Sequence, residues 1–290
     1  MKVIAFIGLG VMGFNMAGHI QNSGNEVFVY NRTKSKAVNW QKSFGGKVLG
    51  SISEVAEISD IVFLCLGRDE DVREVVAKEK GLLDSMKTNS IIVDHTTTSA
   101  DLAKEMFLFS KEKEIHFIDA PVSGGEVGAK KGLLTVMAGG ESSPYREVEP
   151  FIMSYSKHSQ LMGKTGSGQL TKMVNQICLA GLIQALAEGL NFSERAGLNG
   201  LDVINVISKG AAQSWQMDNR AESMLEDFYE HGFAVDLMRK DLGIAMKEAN
   251  KNNSYLEVVN IVDSFYEDIQ KMDGGKWDTS SLLRRLRNKK

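Results

Sequence analysis

"KVIAFIGLGVMG", Lys2–Gly13, decides the fold. An apolar run of strand formers ends in glycines at G-x-G-x-x-G spacing, Gly8, Gly10 and Gly13, and a helical stretch follows. The first glycine permits the tight turn, the second lets a pyrophosphate approach the backbone, and the third allows close helix–strand packing. The helix N-terminus offers unpaired N–H donors to the phosphates. Position gives the motif its weight, because the same spacing outside a strand–helix junction says little. Gly8, Leu9, Gly10, Val11, Met12 and Gly13 are therefore expected to bind a dinucleotide. A lysine before an apolar run also suggests a signal peptide, but glycines inside the run favour a strand entering a turn.

Further along, "EVFVYN", "IVFLCL", "SIIVDH", "IHFIDAP" and "LLTVMAGG" are short β-rich runs separated by amphipathic stretches, Met12 to Ser23, Lys34 to Phe44 and Ser99 to Lys113. The runs lack polar alternation, as strands covered on both faces do. Ser143 and Pro144 read as the N-cap and first residue of another helix. This alternation predicts an α/β Rossmann-like, doubly wound parallel sheet over residues 1–163. From "GKTGSG" onward the composition turns helical and proline-free, which predicts an all-α domain over 164–290. Its centre is a helix from Gln169 to Ala196, about 40 Å long at about 1.5 Å per residue. That helix is apolar on most sides, yet Gln176, Gln184, Glu188 and Asn191 interrupt it too often for a membrane span. Further helices are expected over Gly200 to Ser208, Ser214 to Glu226, Val235 to Asn250 and Tyr255 to Met272, and the basic "RRLRNKK" reads as a solvated end.

At 290 residues the chain is long enough for two domains. With 43% hydrophobic and 24% charged residues it has a globular profile, and a net charge of −3 predicts no nucleic-acid partner. Cys65 and Cys178 stand apart in apolar contexts, which fits buried thiols in a reducing cytoplasm. His19, His116, His158 and His231 show no ligand spacing, so no metal is expected.

Cofactor choice is expected at the end of the second strand, where an acid accepts from the ribose 2′-hydroxyl and repels a 2′-phosphate. Here stand Asn31, Arg32 and Thr33. The guanidinium can pair with phosphate and the threonine can donate a hydroxyl proton, so NADP(H) is expected over NAD(H), against the plainer reading of a capped helix start. For chemistry, "GSGQLTKMVNQ" places Lys172 and Asn175 three residues apart, on one face of the long helix near the linker. An ammonium there can protonate an alkoxide as hydride arrives, and an amide can orient the substrate oxygen. A first-turn lysine opposes the helix dipole, although taken alone it reads equally as a solvated side chain.

"FIGLGVMG", "DHTTTSA", "DAPVSGGEVGAKKGLLTVMAGG", "GKTGSGQLTKMVNQ" and "FAVDLMRKDLGIA" occur in an order and spacing that resembles the β-hydroxyacid dehydrogenase family over nearly the whole chain. The resemblance implies that Lys172 is the catalytic acid/base and Asn175 its helical partner. It implies that Ser123, Gly124 and Gly125 hold a small substrate carboxylate, that Thr97 lies by the nicotinamide, and that Lys240, with Asp241 beside it, serves cofactor and substrate. Leu66, Gly67 and Asp71 or Val72 match the segment along the cofactor. Members often form dimers or tetramers through the helical domain. Thr96 replaces a common serine and Gln176 a common asparagine, and Asn31-Arg32-Thr33 resembles the NADP-preferring glyoxylate/succinic semialdehyde reductases. 6-Phosphogluconate dehydrogenases are longer, with histidine-asparagine after the lysine, and imine reductases typically replace the lysine. A non-catalytic NADPH sensor is opposed by the joint presence of Lys172, Asn175 and the Ser123 loop. His95 could relay a proton but reads better as satisfied by backbone, while Phe233 suits pocket and core equally.

Overall fold

The computed structural model describes residues 2–288. The chain divides into two compact units, Met1–Lys172 and Met173–Lys290. The first opens with β1 (Ile4–Ile7), α1 (Val11–Asn22), β2 (Val27–Tyr30), α2 (Lys34–Phe44), β3 (Lys47–Val48) and α3 (Ile52–Ile58). It then returns through β4 (Ile61–Leu64), α4 (Asp69–Val76), β5 (Ile91–Asp94), α5 (Ala100–Glu112) and β6 (His116–Asp119). The remainder is β7 (Val122–Ser123), α6 (Gly125–Lys131), β8 (Leu134–Gly139), α7 (Ser142–Ile152) and β9 (Ser156–Gly163).

The strands form one sheet in the order β3-β2-β1-β4-β5-β6-β8-β7, with β9 added on β8. Pairing from β3 to β6 is parallel, β8 runs antiparallel to β6 and β7, and β9 is parallel to β8. The absence of polar alternation has a direct cause. Ile4 and Phe6 of β1 enter one core with Met16 of α1 and Trp40 of α2, whereas Ala5 and Ile7 enter a second core with Val72 of α4 and Leu102 of α5. Both faces of the sheet are covered, so both need apolar side chains. After β3 the chain crosses β1 to build β4 on its other side, which makes a topological switch point at the carboxyl ends of β1 and β4, where such folds bind ligands.

The expected doubly wound sheet and helical second half are thus present. Three details differ. Helix α7 begins at Ser142 with Glu141 as N-cap, so Pro144 lies in its first turn rather than opening it. The two-residue β3 and β7 and the polar, edge-lying β9 carry no apolar run from which to be read. The third concerns the C-terminal arginines.

The long helix α8 runs from Ser167 to Arg195, and the units divide within it. The second unit continues with α9 (Gly200–Ile207), α10 (Trp215–Leu225), α11 (Val235–Asn252), α12 (Glu257–Lys271) and α13 (Leu282–Arg287). Its core joins Ile183, Ala187 and Leu190 of α8 to Met238, Val262 and Tyr266. By length and composition α8 could cross a membrane, but this face is the spine of a packed core. The other side leaves Val174, Leu182 and Phe192 exposed. The basic end is not a solvated tail. Leu282 and Leu283 are fully buried, Arg285 pairs with Asp268 at 2.8 Å, and Arg287 pairs with Glu194. Lys289 and Lys290 lie outside the described residues.

Candidate cofactor and substrate site

The three glycines after β1 are glycine for different reasons. Gly8 has φ +96°, and a Cβ there would sit 2.3 Å from the carbonyl oxygen of Cys65. At Gly13 a Cβ would sit 2.0 Å from the carbonyl oxygen of Gly8, so α1 can approach the turn only without a side chain. Gly10 has neither constraint: φ is −73°, and no heavy atom lies within 4 Å of a built Cβ. The protein's own packing does not require glycine at this position, but a ligand seated against the backbone would. Helix α1 has no side-chain cap on Gly10 and no acid in its first turn, which leaves its N–H donors suited to phosphate.

At the end of β2 the Asn31 amide is engaged by the protein. Its Oδ1 accepts from Leu9 N at 2.8 Å and its Nδ2 donates to the Thr33 carbonyl at 3.0 Å, tying the glycine turn to the strand beside it. Arg32 is exposed, and Thr33 is the N-cap of α2 without a side-chain capping bond. The first turn of α2 carries no acid.

The carboxyl ends of β4, β5 and β7 lie along the same edge. Leu66 N donates to Thr96 Oγ1 at 2.9 Å, and Thr96 N donates to Asp94 Oδ1 at 2.9 Å, so the segments after β4 and β5 are bonded to each other. Asp71 faces Gly67, where a Cβ would come 2.7 Å from its carboxylate, whereas Val72 is fully buried in the core. After β7, Gly124 and Gly125 have φ +128° and +62°, which bends the chain from Ser123 into α6. Ser123, Gly124 and Gly125 are all partly accessible.

His95 is buried and held from both sides. Its Nδ1 meets the Ala120 carbonyl at 2.5 Å and its Nε2 meets Tyr155 Oη at 2.8 Å. The carbonyl can only accept, so Nδ1 carries the proton and Nε2 accepts from the phenol. Burial pushes the imidazole down to about 4, with the Ala120 bond acting the other way. It is a neutral core histidine, bonded to backbone as its sequence context suggested and also to a tyrosine.

The start of α8 is fixed by a carboxylate from β6. Asp119 Oδ1 accepts from Gly166 N at 2.7 Å and Oδ2 from Gln169 N at 2.9 Å. The helix has no acid of its own in its first turn, so this buried aspartate supplies the cap. Burial pushes its carboxyl up to about 7, while those N–H bonds pull it back. A Cβ on Gly168 would lie 2.4 Å from the Met137 carbonyl oxygen, so the helix begins against bare sheet backbone. One turn on, Lys172 is only 7% exposed. The sequence reading missed Asp119 and Gln169. The one signal was a helix start rich in glycine and lacking a carboxylate of its own.

In the second unit, Asn175 donates to Gln176 Oε1 at 2.7 Å, Gln176 donates to Asp241 Oδ2 at 2.7 Å, and Lys240 pairs with Asp241 Oδ1 at 3.2 Å. Three residues singled out from the sequence, Asn175, Lys240 and Asp241, are thereby joined through Gln176. Phe233 packs, partly buried, against the helical core.

Residues 3–165 match the family described as the NAD binding domain of 6-phosphogluconate dehydrogenase, and residues 166–286 match the NAD-binding domain of NADP-dependent 3-hydroxyisobutyrate dehydrogenase. The chain belongs to the β-hydroxyacid dehydrogenase family. It is 55% identical over 286 residues to an uncharacterized oxidoreductase of Shewanella frigidimarina, covering 99% of this chain and 98% of that one. It is 30% identical to the 2-hydroxy-3-oxopropionate reductase of Escherichia coli K12, covering 98% and 96%. Among solved structures, a Mycobacterium tuberculosis 3-hydroxyisobutyrate dehydrogenase with L-serine superposes with TM-score 0.89 at 27% identity, covering 99% of each chain. As a β-hydroxyacid dehydrogenase the chain is an oxidoreductase that uses a nicotinamide cofactor.

Proposed function

We propose that this β-hydroxyacid dehydrogenase prefers NADP(H) and interconverts a short-chain hydroxyacid with its semialdehyde, of the 3-hydroxyisobutyrate, 4-hydroxybutyrate or glycolate type. The reading is carried by Lys172, a lysine only 7% exposed near the start of α8, at the position where the family resemblance puts the acid/base. A bound nicotinamide supplies the hydride. Lys172 gives its proton to the carbonyl oxygen during reduction and takes it back from the hydroxyl during oxidation, so proton and hydride together balance the change. Ser123 and the N–H groups at Gly124 and Gly125 hold the substrate carboxylate, a donor set that suits an anion without a buried countercharge. Asn175 is pinned through its Nδ2, which leaves its Oδ1 to accept from a substrate hydroxyl or the ammonium. The family resemblance gives Lys240, ion-paired to Asp241, a part in binding cofactor and substrate.

NADP(H) preference is supported by the end of β2. No acid stands there, the asparagine is occupied, Arg32 is exposed, and the Thr33 hydroxyl makes no capping bond. Leu66, Gly67 and Asp71 complete the cofactor side, and Val72 contributes from beneath as packing. We also propose a homodimer or homotetramer formed through the exposed apolar side chains of the second unit, Phe192, Val206, Tyr255, Val258 and Ile261. Neither Cys65, half-buried, nor Cys178, exposed rather than buried as expected, is in a disulfide, which suits a cytoplasmic setting.

The test is oxidation of NADPH, and of NADH in parallel, with glyoxylate, succinic semialdehyde, methylmalonate semialdehyde and tartronate semialdehyde. Turnover of at least one, faster with NADPH, is expected. Tight NADPH binding with no turnover of any would replace the enzyme reading with that of a sensor. Lys172→Ala should lower kcat by about 10²-fold or more, as loss of an acid/base group does.

A further inference from the structure

The bonds around the start of α8 do more than anchor a helix. The Gln169 side chain is fully buried and makes two bonds of opposite sense to one short segment. Its Nε2 donates to the Thr96 carbonyl at 2.8 Å, and its Oε1 accepts from Thr98 N at 3.0 Å. The amide therefore brackets Thr97, gripping the peptide groups on either side. Thr96 passes the restraint on through Leu66 N to the segment after β4. On the helix side, the Gln169 backbone N–H is held by Asp119. Lys172 follows at i+3 on the same helix face.

We propose that Gln169, braced by Asp119, is the positioning residue that sets the distance between the Thr97 segment and the Lys172 ammonium. The inference rests on Lys172 as the proton-exchanging group. Gln169 touches no reacting atom. It converts two independent pieces of backbone, a strand end and a helix start, into one rigid frame, and the lysine is the next side chain of that frame to face the site. A displacement of about 1 Å between reacting groups lowers rate by about 10²-fold, so the frame should act on the chemical step more than on binding. An amide is the side chain suited to the task, because one carbonyl and one N–H must be met at once.

Gln169→Met keeps length and burial but removes both bonds. With NADPH and whichever of glyoxylate, succinic semialdehyde, methylmalonate semialdehyde or tartronate semialdehyde wild type reduces fastest, kcat should fall on the order of 10²-fold. KM and the NADPH dissociation constant measured by fluorescence titration should stay within a few-fold. The primary isotope effect with 4-deuterated NADPH should rise as hydride transfer becomes limiting. Without cofactor, hydrogen–deuterium exchange should quicken in the peptide spanning 95–99 and stay unchanged in α11 and α12. Gln169→Leu likewise removes both bonds with a shorter apolar side chain, so it also lowers kcat, and it carries the test alone where Gln169→Met does not fold. A folded variant with wild-type kcat and unchanged exchange at 95–99 overturns the proposal. A wild type that reduces none of the four compounds overturns the proposed function instead, while faster exchange at 95–99 still reports the frame.

Discussion

Gly10 and Gly13 obey one motif, yet they answer to different partners, and substitution separates them. Alanine at Gly13 puts a methyl 2.0 Å from the Gly8 carbonyl oxygen, and backbone has to move, at about 1–3 kcal/mol by the usual cost of overpacking. Alanine at Gly10 meets no atom and keeps an ordinary φ, so stability should change by no more than about 1 kcal/mol, the scale of an N-cap change. G10A should therefore melt near wild type but bind NADPH more weakly, on the order of tenfold, whereas G13A should unfold at lower denaturant. Thermal melts paired with fluorescence titration check both. Arg32 makes the companion case for specificity. If its guanidinium meets a 2′-phosphate, Arg32→Ala should reduce the ratio of kcat/KM for NADPH over NADH by about 10-fold or more, the scale of one charge-assisted contact, and leave the NADH value nearly unchanged. Asn31 shows where residue-level reading from sequence stops. Its place at a strand end was legible, but its bonds to Leu9 and Thr33 depend on how close the glycine turn lies, which no local pattern states.

Elements were legible in proportion to their length and apolar content. β1, β2, β4, β5, β6 and β8 all stand inside apolar runs visible in the sequence, because burial on two faces leaves an unmistakable composition. β9 was not legible, since an edge strand facing solvent over most of its length reads "SKHSQLMG". The start of α8 was half legible. Lys172 and Asn175 stood out as a helical pair, but Asp119 and Gln169 act across 50 and 71–73 residues of chain, a separation at which one sequence carries no signal. The C-terminal arginines were misread for a related reason. Their charge suggests solvent, while their carboxylate partners Asp268, Asp227 and Glu194 are distant in sequence. The consequence is measurable. Leu283→Ala removes a fully buried side chain from the helical core and should cost about 2–5 kcal/mol in urea unfolding, where a solvated tail would lose almost nothing.

At the scale of the whole molecule, two buried titratable groups in the sheet-bearing unit pull its pH dependence in opposite directions. His95 has a folded value of about 4 against an ordinary 6.5, so the unfolded chain binds the proton more readily between them. Its contribution is fully present above pH 6.5 and is lost as pH falls toward 4. Asp119, pushed up to about 7 from 3.8, does the reverse: the folded state holds the extra proton, so stability falls as pH rises from about 4 to 7. The slopes offset each other in wild type, and a simple stability–pH curve hides both. A paired comparison separates them. His95→Gln retains a donor for the Ala120 carbonyl and an acceptor for the Tyr155 hydroxyl but cannot be protonated, and Asp119 is common to both proteins. The stability advantage of wild type over the variant should therefore shrink by about 3 kcal/mol between pH 7.5 and 4, from a shift of about 2.5 pH units at 1.36 kcal/mol each, less the part still incomplete at pH 4. Urea unfolding at matched pH values gives this difference directly. A difference that stays constant with pH would mean that His95 accepts its proton in the folded state as readily as in the unfolded one, and the neutral bridge from Tyr155 to Ala120 would have to be abandoned.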